Sequence, residues 1–342
     1  MDIGSNKATE EERKQCTHHL IDYIDPFKYD SINEEGGSYT AADFFQDCQA
    51  KMIELWERGV TPMLVGGTGF YLDWIVFGRP QAPASDPSVE LLVKKEIEND
   101  SCWEESFDKL VQVDTEYAAK LQKGDYYRLI RALTVFKMTG KPLSFYKQTK
   151  APFEKVDWNC FYITDDRLEL YRRVDYRCEL MIQRGLIGEV ISLLQKGLSP
   201  TNMAAKSIGY NETIKLLSKL KEKLSKDGIV CDEEGVEIFK SFLSDFMAHS
   251  RQYVRRQETW FNKKPKFIWL SRSILNLSEI AVKMESSFNR DADLDELNHL
   301  SRKQKISDTL KKSMKCYVSQ YRIYNGNNEI INELRKIELG WK

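Results

Sequence analysis

The stretch Thr61–Pro80, TPMLVGGTGFYLDWIVFGRP, decides the fold class of this 342-residue chain. Pro62–Val65 is short and apolar, which predicts a buried strand rather than a helix. The glycine turn, residues Gly66–Gly69, follows it and leads into Phe70–Phe77, which we predict to be a helix with aromatic residues on its inner side. A strand that passes through glycines into a helix is typical of α/β proteins with a parallel sheet.

The glycine turn has the composition of a phosphate-binding turn. Glycine lets the backbone come close to an anion, and the free N–H groups of the first helical turn face that anion together with the positive end of the helix dipole. Gly66 and Gly67 would allow the close approach, and Thr68 adds a hydroxyl that can donate a hydrogen bond. A tight turn that only packs a helix against a strand has the same pattern, so these residues alone leave both interpretations open.

Composition and charge limit what the protein can be. Of its residues 42% are hydrophobic and 30% are charged, which is enough for one large domain or two smaller ones. The net charge of -1 means that any binding to nucleic acid must come from local basic patches. The seven cysteines contain no CxxC pair, which indicates a reducing compartment and argues against a zinc site or a disulfide framework. No apolar run is long enough to span a bilayer, and residues 1–14 resemble neither a signal nor a transit peptide.

Hydrophobic periodicity predicts an α/β core with an all-helical insertion. Strands are predicted at residues 18–22, 62–65, 156–164 and 267–270. The helices around them are predicted at residues 40–56, 168–181, 189–194, 204–217 and 237–261. Residues 89–97, 103–111, 116–121 and 126–138 are also helical in pattern, with no strand candidate between them. We therefore predict an α/β core at 1–87 and 153–274, a helical insertion at 88–152 and a helical tail at 275–342.

Two pairs of arginines have the spacing of phosphate contacts. Arg128 and Arg131 are three residues apart, and Arg173 and Arg177 are four apart, so each pair shares one face of a helix. Guanidinium pairs favour bidentate phosphate contacts, although a solvated charged face has the same spacing. Asp165–Glu169, DDRLE, has the DDxxE spacing of a magnesium diphosphate site, but its place between a strand and a helix favours acids that cap the helix.

The long helix predicted at 237–261 is amphipathic. Its apolar side carries Phe239, Phe242, Phe246, Tyr253 and Trp260, and its basic side carries Arg251, Arg255 and Arg256. A basic helix side with interleaved aromatic residues suits the backbone of a nucleic acid.

Several segments together resemble one known family, the tRNA dimethylallyltransferases, also called tRNA isopentenyltransferases. In chain order they are MDIGSNK (Met1–Lys7), HHLID (His18–Asp22), YTAADF (Tyr39–Phe44), VGGTGFY (Val65–Tyr71), RLIRAL (Arg128–Leu133), TGKP (Thr139–Pro142), IGY (Ile208–Tyr210) and RRQETW (Arg255–Trp260). Each segment is weak alone, but the ordered set is specific. VGGTGFY and RRQETW resemble the branch that acts on tRNA more than the plant-type adenylate isopentenyltransferases.

The resemblance implies a reaction and a fold. The N6 amine of the adenosine directly 3′ of the anticodon would attack C1 of dimethylallyl diphosphate and release diphosphate, with Mg²⁺ bound to the diphosphate. The fold would be a P-loop NTPase-like parallel sheet core around a channel, which the prenyl donor enters from one end and a flipped adenine from the other. The partners would be the anticodon stem-loop of tRNA and dimethylallyl diphosphate. The protein would be a cytoplasmic or mitochondrial monomer that binds no membrane.

The resemblance also assigns roles to residues of this chain. Thr68 would donate to the diphosphate and Arg177 would clamp it, which makes these two the predicted catalytic residues. The predicted diphosphate site comprises Gly66, Gly67, Thr68, Arg173 and Arg177. The predicted tRNA site comprises Tyr127, Arg128, Arg131, Lys206, Gly209, Tyr210, Arg255, Arg256, Gln257 and Trp260. A positioned arginine would stabilise the charge that the diphosphate leaving group gains in the transition state.

The chain departs from the family pattern at its start. In the family, a GxxxxGK[ST] phosphate loop and the aspartate that acts as general base precede the MDIG segment, which here begins at Met1. No GxxxxGK[ST] occurs in the sequence, so we expect an N-terminally truncated core and a loss of activity, since removing a general base typically costs roughly 10²–10⁴-fold. In the tail Cys316 is the only cysteine and His299 the only histidine, which predicts no zinc finger and no protein-bound metal.

Two alternative functions remain open on the sequence. An adenylate isopentenyltransferase would modify free AMP, ADP or ATP and would tolerate substitution of Arg255 and Arg256. A non-catalytic remnant would bind tRNA in a salt-dependent manner without binding the prenyl donor.

Overall fold

The computed structural model describes residues 1–27, 39–147, 153, 155–289 and 317–340. The chain divides into two compact units: unit 1 comprises Met1–Gly69 and Trp158–Lys342, and unit 2 comprises Phe70–Asp157. The helical insertion was predicted at 88–152, and unit 2 extends beyond that range at both ends. Among the described residues, no helix has both the length and the apolar character needed to cross a membrane.

The elements follow one another in a largely helical order. The helices are α1 (Glu10–Gln15), α2 (Ala41–Glu57), α3 (Gly69–Phe77), α4 (Pro87–Glu98), α5 (Trp103–Val113), α6 (Thr115–Ala118), α7 (Tyr126–Thr139), α8 (Arg167–Gln183), α9 (Leu186–Gln195), α10 (Tyr210–Asp227), α11 (Glu233–Phe261), α12 (Leu277–Phe288) and α13 (Asn327–Gly340). The strands are β1 (Cys160–Thr164) and β2 (Phe267–Ser271).

The two strands lie side by side as a small parallel sheet in unit 1. Cys160 is opposite Phe267, and the pairing continues to Thr164 opposite Ser271. Because parallel strands need a long crossover between them, α8 to α11 fill the chain that joins β1 to β2. The α/β prediction is confirmed in this form, a small parallel sheet with many helices.

The other two predicted strands, at 18–22 and 62–65, are wrong. Leu20 and Asp22 have φ angles of 57° and 62°, in the left-handed region that strands avoid. Residues 62–65 have no paired neighbour among the described residues, and Met63 and Val65 are 77% and 87% exposed. A strand needs a partner for its backbone hydrogen bonds, and a local apolar pattern does not supply one.

Side-chain caps fix where the helices begin. Thr40 and Asp43 form a reciprocal capping box at the start of α2. Asp166 accepts from the first turn of α8, which confirms the capping interpretation of the DDxxE segment. α10 begins later than predicted because Gly209 has a φ of 93° and its N–H donates to the Glu212 carboxylate at 2.7 Å.

The core of unit 1 lies between α8, α9, α10, α11 and α13. Phe239, Phe242 and Phe246 of α11 are buried there as predicted, but Tyr253 is 40% exposed, so its assignment to the apolar side is wrong. Leu334 of α13 is also buried in this core, so the described end of the predicted tail belongs to unit 1.

Two buried carboxylates of α8 hold neighbouring segments. Asp175 accepts from Arg251 of α11 and, at 2.9 Å, from the hydroxyl of Tyr317. Glu179 accepts from the successive backbone N–H groups of residues 322–324, which satisfy its charge without a cation. Arg251 therefore pairs with a buried acid, and its predicted place on an exposed basic helix side is wrong.

A third carboxylate, Glu189 of α9, holds the N-terminal segment. It accepts from the N–H groups of Asp2, Ile3 and Gly4, the last two at 3.4 Å, and from the Tyr210 hydroxyl at 2.9 Å. Burial by itself would raise the pKa of Glu189, but these donors outweigh burial and lower it.

Glu189→Gln is expected to reduce stability at neutral pH by about 1–2 kcal/mol, since the charge strengthens these hydrogen bonds. Because the pKa of Glu189 is lowered in the folded protein, this contribution is complete above the ordinary value of 4.5 and is lost as pH falls through the lowered value. Thermal unfolding of both proteins between pH 7 and pH 3 checks this expectation. A difference in melting temperature that does not shrink on acidification would contradict it.

Unit 2 has a separate, smaller core. Val93 of α4, Leu110 of α5 and Leu129 of α7 are buried in it, and Trp103 at the start of α5 covers its edge. This core keeps α7 in place, and α7 carries Tyr127, Arg128 and Arg131 of the predicted tRNA site.

Candidate functional site

The glycine turn lies against the last two turns of α11. The side-chain amide of Gln257 donates to the Gly67 carbonyl at 2.9 Å. A Cβ atom on Gly67 would come within 2.0 Å of Gln257 Nε2, and one on Gly69 within 2.2 Å of Trp260 Cδ1, whereas a Cβ on Gly66 would meet nothing. Gly67 and Gly69 are therefore required by close packing against α11. Packing does not require glycine at position 66, where a side chain would fit.

Thr68 immediately precedes α3 and is exposed. Its hydroxyl makes no hydrogen bond to any described residue. A hydroxyl and backbone N–H groups at the start of a helix are suitable donors for an anionic oxygen. The turn thus has the donors that the sequence predicts, although the strand predicted in front of it is not formed.

The two α8 arginines differ in their environment. Arg173 Nε lies 3.2 Å from the Asp165 carboxylate. Arg177 is exposed and has no carboxylate partner among the described residues. Neighbouring protein atoms shield its guanidinium in part, and this desolvation lowers the pKa of Arg177. Of the two, Arg177 is the cation available to an anionic ligand.

α11 is the common support of the glycine turn and α8. Gln257 binds Gly67, and the adjacent Glu258 accepts from Arg167 at the start of α8 at 2.9 Å. Consecutive residues of one rigid helix thereby fix both elements that carry the predicted diphosphate ligands. That Thr68 and Arg177 act on one diphosphate stays a prediction.

The predicted tRNA residues of α11 point in two directions. Arg255 and Arg256 are exposed and have no acidic partner among the described residues, so they form a free basic surface. Gln257 and Trp260 instead pack against the glycine turn. The RRQETW segment therefore has an outer and an inner face.

The structure also divides the predicted residues near α10. Lys206 is exposed and free to contact RNA. Gly209 is buried at the start of α10, and Tyr210 is 1% exposed with its hydroxyl on Glu189. Both residues are buried inside unit 1, next to the segment that carries Lys206, and their contact with tRNA stays a prediction.

In unit 2, Tyr127 is 82% exposed and Arg128 is exposed beside Asp125. Arg131 instead donates to the Ser85 hydroxyl at 2.7 Å and to the Pro83 carbonyl. Burial lowers the pKa of Arg131. Arg131 therefore holds the segment before α4, while Tyr127 and Arg128 are the residues of this group on the surface.

A protein-family model described as IPP transferase matches residues 1–264. The chain belongs to the IPP transferase family. It is similar to the tRNA dimethylallyltransferase of Geobacter sulfurreducens, with 34% identity over 289 residues that cover 83% of this chain and 84% of the relative. The tRNA dimethylallyltransferase of Protochlamydia amoebophila is 32% identical over 272 residues, covering 79% of this chain and 72% of the relative.

A solved structure supports the same fold. The crystal structure of a tRNA isopentenylpyrophosphate transferase from Staphylococcus epidermidis aligns with a TM-score of 0.54 at 26% identity, covering 85% of this chain and 87% of that chain. The family match ends at residue 264, so β2 and the segments after it lie outside the matched residues.

No three His, Cys, Asp or Glu side chains within the described ranges are grouped as metal ligands. Asp165 accepts from the Ser273 hydroxyl at 2.6 Å, and Asp166 caps α8, so the acids of the DDxxE segment are engaged elsewhere. Cys316 and His299, on which the zinc-finger prediction rests, lie outside the described residues.

Three residues that organise the site are absent from the predicted set. Arg167 and Glu258 join α8 to α11, and Glu189 holds the MDIG segment. Arg167 and Glu258 are 91 residues apart, so neither gave a local sequence signal. The partners of Glu189 are distant in sequence and gave none.

Proposed function

We propose that this chain transfers a dimethylallyl group from dimethylallyl diphosphate to N6 of the adenosine directly 3′ of the anticodon in tRNA. One observation carries the proposal: a single helix, α11, has exposed arginines on its outer face and binds the glycine turn with its inner face. An anion-binding turn and a basic surface on one support suit a reaction between a diphosphate ester and RNA. The names of the relatives support the same assignment.

In the proposed reaction the N6 lone pair attacks C1 of the donor, the C1–O bond breaks with its electron pair on diphosphate, and N6 loses a proton. Negative charge accumulates on the departing diphosphate. Thr68 would donate a hydrogen bond to it, and the Arg177 guanidinium, which has no carboxylate partner among the described residues, would neutralise it as it forms. Gly66 would keep the backbone open to this ligand, Gly67 would let the turn pack against Gln257, and Arg173 would lie beside Arg177.

The RNA would lie on the exposed residues of the predicted tRNA site. Arg255, Arg256 and Lys206 in unit 1, with Tyr127 and Arg128 in unit 2, are the predicted contacts that the structure leaves on the surface. The target adenine must leave the base stack to reach the donor. Mg²⁺ would arrive with the diphosphate, because it is commonly held by substrate phosphates together with one or two carboxylates.

The remaining parts of the proposal concern the fold and the cell. We infer a P-loop NTPase-like arrangement around the β1–β2 sheet, a monomer, and a cytoplasmic or mitochondrial place of action. The tRNA dimethylallyltransferase of Geobacter sulfurreducens, assayed alongside, serves as the reference enzyme.

The experiment uses dimethylallyl diphosphate with a labelled prenyl group and three acceptors. These are a tRNA with adenosine 3′ of the anticodon, the same tRNA with guanosine at that position, and AMP. The proposal expects labelling of the first acceptor only, with the label on N6 by nucleoside mass spectrometry. Labelling of AMP would favour the adenylate alternative. Salt-sensitive RNA binding without labelling, under conditions where the relative labels the tRNA, would favour the remnant.

A further inference from the structure

The contact between Gln257 and Gly67 fixes the orientation of one peptide group. In a planar trans peptide the C=O and N–H bonds point to opposite sides. Because Gln257 holds the Gly67 carbonyl toward α11 at 2.9 Å, the N–H of Thr68 must face away from α11. Trp260 supports the next residues, since its indole occupies the space that a side chain on Gly69 would need.

Neighbouring residues of α11 face in two different directions, toward solvent and toward the glycine turn. Arg255 and Arg256 are exposed, whereas Gln257 is partly buried against the turn. Gln257 is half-buried and one of its two amide N–H bonds is already used by Gly67, so it has little to offer a phosphate backbone. The resemblance placed Arg255, Arg256, Gln257 and Trp260 together on the RNA, and the structure separates them.

We propose that Gln257 and Trp260 are positioning residues for the prenyl diphosphate, which orient the Thr68 N–H and hydroxyl toward it, and that they are not RNA contacts. The inference rests on the proposed function and refines it. The ligand class is a diphosphate ester, recognised by a backbone N–H and a hydroxyl held at fixed angles. Gln257 acts through the Gly67–Thr68 peptide and does not touch the ligand.

The test uses Gln257→Met, which keeps the side-chain length and removes the donor, and Gln257→Glu, which also presents a carboxylate to the Gly67 carbonyl. Gln252→Met is the matched control, because Gln252 is exposed on the same helix. For each protein we would measure the KM for dimethylallyl diphosphate, the Kd for a fluorescent anticodon stem-loop and the melting temperature.

Both Gln257 variants are expected to raise the donor KM about fivefold to tenfold, the cost of one lost hydrogen bond, and to leave the RNA Kd within about twofold. The double variant Arg255→Gln/Arg256→Gln should show the opposite pattern, with weaker RNA binding and an unchanged donor KM. A role in overall stability alone would change both constants together with the melting temperature. RNA binding lost in Gln257→Met, or a donor KM unchanged in both Gln257 variants, would overturn the inference.

A second readout does not depend on activity. If the wild-type chain transfers no dimethylallyl group, the proposed function fails, and hydrogen–deuterium exchange of residues 61–69 decides the role of Gln257 by itself. Exchange should be faster in Gln257→Met than in wild type and in Gln252→Met. Equal exchange in all three proteins would overturn the inference.

Discussion

Replacement of Arg177 by glutamine is expected to slow dimethylallyl transfer to tRNA by about 10²–10³-fold, the range seen when one preorganised donor to a developing negative charge is removed. Arg177 has no acidic partner among the described residues, so its full charge is available to the departing diphosphate. Glutamine retains hydrogen-bond donors but not the charge. Single-turnover transfer from labelled donor, at saturating RNA, measures the effect.

Arg184→Gln provides the control for this prediction. Arg184 caps the C-terminus of the same helix and is also exposed, so the change in net charge is identical. Its transfer rate should stay within about threefold of wild type, because exposed charges at this range are screened. Equal losses in Arg177→Gln and Arg184→Gln would mean that only overall charge matters, and the role of Arg177 would be refuted.

Arg251→Met is expected to destabilise the protein by about 3–5 kcal/mol, because it leaves the buried Asp175 carboxylate without its cation. Asp175 is 1% exposed, and its other partner is the Tyr317 hydroxyl at 2.9 Å. Arg251 also donates to Ser319 at 2.9 Å, so the substitution loosens the segment that follows residue 316. Thermal and urea denaturation measure the change.

Two further variants test whether loss of the Arg251–Asp175 ion pair causes this destabilisation. Arg255→Met, an exposed site on the same helix, should unfold within about 0.5 kcal/mol of wild type. Asp175→Leu combined with Arg251→Met should regain much of the loss, since an apolar pair can replace a buried ion pair. An Arg251→Met protein as stable as Arg255→Met would show that the pair contributes nothing.

The sequence predicted the elements whose formation depends on residues close to them in the chain. The capping box of Thr40 and Asp43, the Asp166 cap and the apolar stripe of α11 are all readable without a partner. The strand predicted at 62–65 was wrong because a strand needs a neighbouring strand to pair with, and no pattern within the segment shows whether one is present. α10 began late because the left-handed Gly209 interrupts a periodicity that continues across it.

The sequence also did not predict which way the residues of the candidate site face. The motif RRQETW identified residues that matter, but not that Arg255 and Arg256 face outward while Gln257 and Trp260 face the glycine turn. Arg251 and Arg131 look like surface cations in sequence, since their partners Asp175 and Pro83 lie 76 and 48 residues away. Long-range pairing decides which charges are free, and a single sequence does not encode it locally.

A crystal structure of this chain with a dimethylallyl thiodiphosphate and an anticodon stem-loop tests the central claim most directly. The account predicts one diphosphate with the Thr68 hydroxyl and the Arg177 guanidinium both within about 3.2 Å of its oxygens, and the adenine amine facing C1. A diphosphate bound to only one of these residues, or bound away from the glycine turn, would contradict the account.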